Sequence, residues 1–277
     1  MKPQRIRSGK AEPFFRRYPC LRGQVQPESG RISLPVSPVS NLQCHFGPQG
    51  LKRRRQLNQL LLEPVQAAAV LGEAFSLWPA VKTVDIAGPG ESLASRHALE
   101  TFGFIRERHP DLETWLTTNG LLLRDQAAAL AAAGIKRIAI ELHAVTVGIA
   151  VQLYSYVLYR NRYLTGPAAA SWLLLAQSAG IGAAAALGAT LKVKTVLVPG
   201  INDSQIAAIA ETAAKAGASL IEIAALEPQY HFHNRRAPSR RELEAARQAA
   251  SRFLPVWPPL PAQNLALTDQ YKTEGKN

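Results

Sequence analysis

Thiols and histidines are scarce in this sequence, so the residues able to hold a metal or act as nucleophiles are quickly found. Cys20 and Cys44 are the only cysteines among 277 residues. Two thiols do not make a disulfide framework, and a chain of this length does not need one. His231 and His233 stand two apart in YHFHNRR and would share a face of an extended segment. A metal site needs more than two ligands. No third lies near them, so the pair also reads as an ordinary loop. His143 ends the stretch RIAIELH and points either into a ligand site or into packing. In AGPGE, Gly88 and Gly90 flank Pro89 and let a ligand approach the backbone closely. Glu91 sets a carboxylate beside that edge, where it could hold an ammonium group; the same residues also suit a plain turn before a helix. No G-K-[ST] follows, so this is not a nucleotide P-loop. Asn119-Gly120, after Thr118, and Pro199-Gly200 are turn pairs, and Asp203 can cap the helix that follows.

The elements that must carry these residues follow from periodicity. Alternating or β-branched runs predict strands over residues 32–37, 81–87, 112–118, 137–143, 190–198 and 220–226. Helical spacing occupies 56–77, 95–109, 125–133, 168–186 and 204–216, and a last helix starts at Ser239, where Ser239 and Glu242 form a capping box. Strands alternating with helices imply parallel β-α-β units, closed into a partial barrel or open as a doubly wound sheet. Either way the ligand belongs at the carboxyl ends of the strands, where the loops above lie. Residues 1–30 and 255–277, rich in Pro, Gln and charge, are expected to be extensions with little regular structure around a domain spanning 31–254.

Charge and hydropathy narrow the partners. The formal net charge is +12. Lys52 to Arg55, and Arg235 and Arg236 with Arg240 and Arg241, are solvated faces or an anion-binding patch. No aromatic residues interleave with them, so no nucleic-acid partner is expected. The basic start lacks an apolar core and is no secretory signal, which predicts a cytoplasmic protein. Residues 164–191 and 144–159 hold no charge, and the first stretch is long enough to span a bilayer. It is mostly alanine, with glycines, Pro167 and Gln177. That predicts outer helices at 144–159 and 168–186, packed on the barrel, on a protein partner or on a second copy, and no membrane.

Taken in order, the loops carry a specific pattern. YPC stands at 18–20, LPVSPVSNLQCHFG at 34–47, DIAGPGESLAS at 85–95, TTNGL at 117–121 and IELHAV at 140–145. LYSYVLY, YLTGPAAA, KVKTVLVPGIND and RRAPSRREL follow. In this order and nearly this spacing the chain resembles the NifB family of radical S-adenosylmethionine enzymes, over residues 18–254. The resemblance implies an α/β fold, a partial (βα)6 TIM-like barrel of the radical SAM type, holding S-adenosylmethionine at its rim. It implies a C-x3-C-x2-C loop binding a 4Fe–4S cluster whose open iron chelates the methionine part of the cofactor. Reductive cleavage then yields a 5′-deoxyadenosyl radical, used in building the nitrogenase cofactor core, with iron–sulfur maturation proteins as partners. By the same resemblance Gly88, Pro89, Gly90 and Glu91 would meet the methionine amino group. Thr118, Asn119 and His143 would lie at the barrel mouth, and Pro199 and Gly200 on the adenine side.

The departures fall on the chemistry. The three cluster positions are Ser40, Cys44 and Gly47, so one thiol remains; Cys20 survives in YPC, where Tyr18 replaces a histidine. The family's C-terminal C-x2-C would fall near Leu260 and Gln263. His143 and Lys194 stand where the family has asparagine. Three readings follow. The chain is a relative without its own radical chemistry, binding S-adenosylmethionine or acting as a scaffold. Alternatively it is a working enzyme that takes cluster ligands from a partner chain, or an interaction module whose uncharged helices face a partner.

Overall fold

The computed structural model describes residues 8–47 and 61–257. Six parallel strands form its centre: β2 (Arg31–Leu34), β4 (Thr83–Ile86), β5 (Glu113–Thr118), β6 (Arg137–Glu141), β9 (Thr190–Leu197) and β10 (Leu220–Ala225). They are hydrogen-bonded in that order into a curled sheet. Short β1 (Val25–Gln26) pairs antiparallel with β2, and β11 (Val256–Trp257) pairs parallel with β10. The helices are α1 (Ser8–Arg17), α2 (Pro64–Leu77), α3 (His97–Arg108), α4 (Leu123–Ala132), α5 (Val147–Ala150), α6 (Gly166–Ala186), α7 (Ile206–Ala216) and α8 (Arg240–Ser251). This is the partial TIM-like barrel expected from the sequence. AGPGE follows β4 and PGIND follows β9, so parallel strands deliver both to one rim.

Strand alternation explains the layering. Ile32, Leu34, Val84, Ile86, Leu116, Ile138, Ile140, Leu191 and Val193 are buried in the main core with the helices. Charged residues alternate with them: Arg31 pairs with Asp85 at 3.3 Å and Lys192 with Glu222 at 3.1 Å. Lys192 also lies over the rings of Trp115 and Trp257, at 4.9 and 5.5 Å. Charges this deep are tolerated because each has a partner. On the outside, α7 buries Ile206, Ile209, Ala210 and Ala213, an i, i+3, i+4, i+7 stripe. The helix expected over 56–77 starts at Pro64, set up by a capping box between Glu63 and Gln66; residues 56–60, and the basic run from Lys52 to Arg55, lie outside the described residues.

Two expectations are corrected. Residues 144–159 are not a helix: after the single turn of α5 the chain enters β7 (Tyr154–Tyr159), which forms a hairpin with β8 (Arg162–Thr165). Arg160 and Asn161 both have positive φ, 47° and 63°, as a two-residue hairpin turn requires. The alternation in YSYVLYRNRYLT carried that signal, and the absence of charge concealed it. Together with β3 (Leu42–Cys44), the hairpin makes a separate sheet in the order β3-β7-β8. Residues 8–30 are also structured. Phe14 and Phe15 of α1 pack on Trp78 at 5.1 and 5.6 Å, and Cys20 and Leu21 are buried. The tail beyond Trp257, with positions 260 and 263, lies outside the described residues.

The apolar α6 forms an outer helix, as expected. It buries Ala169, Ala170, Leu173, Gln177, Gly180, Ile181 and Ala184 and exposes Trp172 and Leu175. A Cβ on Gly180 would stand 2.8 Å from Leu123 Cβ, so the glycine permits the close approach of α4. Among the described residues α6 is long and apolar enough to cross a bilayer. Its Gln177, however, is fully buried against the barrel, which makes this face of α6 part of the fold.

Candidate functional site

Loops from three neighbouring strands are tied together at the rim. The segment after β2 runs beside AGPGE as a short parallel ladder: Ser37 N donates to Gly88 O at 3.0 Å, Gly90 N to Ser37 O at 2.8 Å and Glu91 N to Val39 O at 2.7 Å. A Cβ on Gly90 would lie 2.2 Å from Val39 O. The glycine is therefore required by a second loop of the chain itself, in addition to any ligand.

Glu91 is buried by that ladder. Its carboxylate accepts from Thr118 Oγ1, from Asn119 N at 2.7 Å and from Leu93 N at 3.0 Å. Burial nevertheless outweighs these donors and pushes the carboxyl up to about 7. Asn119 continues the network: Nδ2 donates to Asn41 Oδ1 at 2.8 Å and Oδ1 accepts from Leu121 N at 2.9 Å. From α6, Gln177 Nε2 donates to the carbonyls of Asn119 and Glu141, both at 2.9 Å. Thus the ends of β4, β5 and β6 and the loop after β2 are held as one unit.

This unit borders a cavity of about 340 Å³. Gly88, Pro89, Gly90, Glu91, Thr118 and Asn119 all line it, together with Lys194 from β9 and Glu141 from β6. Cys20 lines it too, with its thiol pushed up by burial. Of the expected site residues, His143, Pro199 and Gly200 do not line it. His143 is packed between Phe46 and Tyr154, with ring centroids at 4.7 and 6.3 Å, and its Nδ1 accepts from Val196 N at 3.2 Å. Burial lowers it to about 3, so it is a neutral packing residue. Gly200 N turns back to Asp203 Oδ2 at 3.1 Å. The residue that shapes this loop is Asn202, fully buried. It donates to His143 O and Val196 O and accepts from Val198 N. Sequence reasoning missed it, as it missed Gln177 and Glu141. Asn202 was visible only as a neighbour of Asp203.

Within the segment of the cluster positions, Leu42–Cys44 form β3, with Ser40 and Gly47 on either side of it. Ser40 Oγ donates to Leu42 O at 3.0 Å, and Cys44 sits on β3 opposite Tyr154. His45 follows, its ring at 2.9 Å from Gln152 O and 2.7 Å from Ser155 Oγ. Phe46 packs on Phe232 at 5.2 Å. Leu42, Tyr154, Val157, Leu173, Val198 and Phe232 belong to a second apolar core at this side of the mouth. A 4Fe–4S cluster is held by converging thiolates. This loop offers Cys44 alone, and Cys44 does not line the cavity that holds Cys20. The residues present do not fit the cluster. Nor do His231 and His233 make a metal site. The segment is a turn, in which His231 stacks on His45 at 4.0 Å and His233 bonds to Tyr230 O at 2.8 Å. Among the described residues no group of three His, Cys, Asp or Glu is placed to hold a metal ion.

No protein-family model matches the sequence. Individual proteins do. The chain is 30% identical over 247 residues to the FeMo cofactor biosynthesis protein NifB of Methanocaldococcus infernus, covering 87% of this chain and 82% of that one. The protein of the same name from Methanocaldococcus jannaschii is 30% identical over 243 residues, 86% of this chain and 81% of the relative. Against the Klebsiella pneumoniae protein of that name the identity is 31% over 211 residues, 74% of this chain but only 45% of the relative. Solved structures resemble it in fold. A radical SAM methyltransferase from Sphaerobacter thermophilus superposes with a TM-score of 0.57 at 18% identity, covering 82% of this chain and 65% of that one. Streptococcus suis SuiB bound to S-adenosylmethionine gives 0.56 at 14%, covering 90% and 53%.

Proposed function

The chain belongs to the NifB family of FeMo cofactor biosynthesis proteins, and from that premise we propose that it takes part in the same cytoplasmic process without running radical chemistry of its own. It serves as an S-adenosyl-ligand-binding or scaffold protein. The observation that carries this reading is the loop at 40–47. Its first and third cluster positions are Ser40 and Gly47, and the whole chain has two cysteines. A fold can outlive its chemistry, because function resides in sites placed on folds. The cavity lined by Gly88, Pro89, Gly90, Thr118 and Asn119 supports retained ligand binding, since its polar walls suit an amino-acid head group.

Anaerobic reconstitution with iron and sulfide tests the reading. The expected result is far less than one cluster per chain and no reductive cleavage of S-adenosylmethionine. The double change Ser40→Cys and Gly47→Cys is expected to restore cluster binding in part. A Cβ at Gly47 would meet no described atom within 4 Å. A near-stoichiometric cluster on the unmodified chain, with cofactor cleavage, would overturn the proposal and mean that ligands come from elsewhere.

A further inference from the structure

Most of the charge inside the barrel is matched. Arg31 is held by Asp85 and Lys192 by Glu222. Lys194 is different. It is half-buried, two residues along β9 from Lys192, and lines the cavity. Among the described residues no carboxylate lies within ion-pair distance of its ammonium group, 4.0 Å or less. Asp85, close enough to feel the charge of Lys194, is engaged by Arg31 at 3.3 Å. Glu141, directly across the strand pair from Lys194, lines the same cavity without closing on it. The result is a cation and an anion on adjacent strands, both facing one polar space, with room between them. That arrangement suits a zwitterion. Its carboxylate would meet the lysine and its ammonium would face Glu141.

We infer that Lys194 binds the α-carboxylate of the ligand that this cavity takes, and so supplies the positive charge that a cluster iron would otherwise offer to that carboxylate. The inference rests on the proposal that the cavity holds an S-adenosyl ligand. It explains together two departures from the family pattern that the sequence presents separately: lost thiols at 40 and 47, and a lysine at 194 where the family has asparagine. With no iron to chelate the amino-acid head, a fixed ammonium supplies a positive charge for its carboxylate. A charge-assisted hydrogen bond in a partly desolvated site is worth enough to change affinity by roughly 10- to 100-fold.

The experiment is calorimetric titration of the full-length protein with S-adenosylmethionine and with its decarboxylated analogue, which differ only in the carboxylate. Wild type is expected to bind the carboxylated ligand about 10- to 100-fold more tightly. Lys194→Met, and independently Lys194→Gln, are expected to bind both ligands alike, at the affinity of the analogue. Melting curves establish that each variant is folded. If wild type binds both ligands equally, or if the variants keep the discrimination, the role of Lys194 is refuted while ligand binding by the cavity stands. If wild type binds neither ligand, the reading of the cavity falls and the inference falls with it.

Discussion

Glu91→Gln separates the two things the buried carboxyl does. In the protein it takes three donors, from Thr118, Asn119 and Leu93. Glutamine keeps one oxygen for Thr118 and Leu93 but turns an amide NH2 toward Asn119 N, leaving a buried donor unmatched at a cost of about 1–3 kcal/mol. The second effect depends on pH. Burial raises the folded carboxyl from 4.5 to about 7. Between those values the folded state keeps a proton that the unfolded chain has released, so stability falls as pH rises. The contribution is fully present below 4.5 and is lost by the time pH has passed 7. At about 1.4 kcal/mol per pH unit, that interval is worth about 3 kcal/mol. Glutamine does not titrate. The stability of wild type relative to Glu91→Gln should therefore decline by about 3 kcal/mol from acid to mildly alkaline pH. Urea unfolding followed by circular dichroism at several values between about pH 5 and 8 measures it. Parallel pH profiles for the two proteins would refute the assignment of a raised carboxyl, and a widening gap in favour of wild type would reverse its sign.

Two further perturbations probe the same rim. His143 has the opposite dependence: folded it stays neutral down to about 3, while unfolded it takes up a proton near 6.5, so it costs stability progressively as pH falls through that window. His143→Phe should remove about 5 kcal/mol of that acid-side loss and lower the midpoint of acid unfolding, although losing the acceptor for Val196 N weakens the protein at neutral pH. Gly90→Ala would drive a methyl group against Val39 O, 2.2 Å from the new Cβ, and is expected to cost about 3 kcal/mol or more and to abolish ligand binding. The control is Gly72→Ala in α2, where a Cβ meets nothing within 4 Å and a gain of about 0.5–1 kcal/mol is expected.

What could be read from the sequence was what local periodicity encodes. The six central strands stand out because Val, Ile and Leu alternate with other residues, and their observed ends differ from the expected ones by a few residues. Gly88, Gly90, Glu91 and Asn119 could be picked out because turn residues are legible locally. The reason Gly90 must be glycine was not legible, since Val39 reaches it only through tertiary packing. Gln177 was hidden in the same way. It reads as a polar interruption of an alanine helix until folding brings it to the carbonyls of Asn119 and Glu141, whereas Lys194 stood out only as a departure from the family pattern until folding brought it to the cavity. The β7–β8 hairpin was misread because lack of charge was given more weight than alternation. The N-terminal aromatics were overlooked because their partner, Trp78, lies about sixty residues away.

The small sheet over the mouth also has a consequence for how the protein assembles. β3 leaves the barrel directly after β2, yet its partner strand begins at Tyr154, more than a hundred residues later. That pairing closes a long loop, and its entropic cost is offset only once β4, β5 and β6 have brought the two ends together. By topology the pairing of β3 with β7 is expected to form after β4, β5 and β6 have paired, an order that hydrogen-exchange protection of the two sheets checks. In that order, substitutions in the loop at 40–47 are expected to act after the central strands have paired. A chain can lose thiols there and still reach its native topology, which is the physical condition under which such losses accumulate.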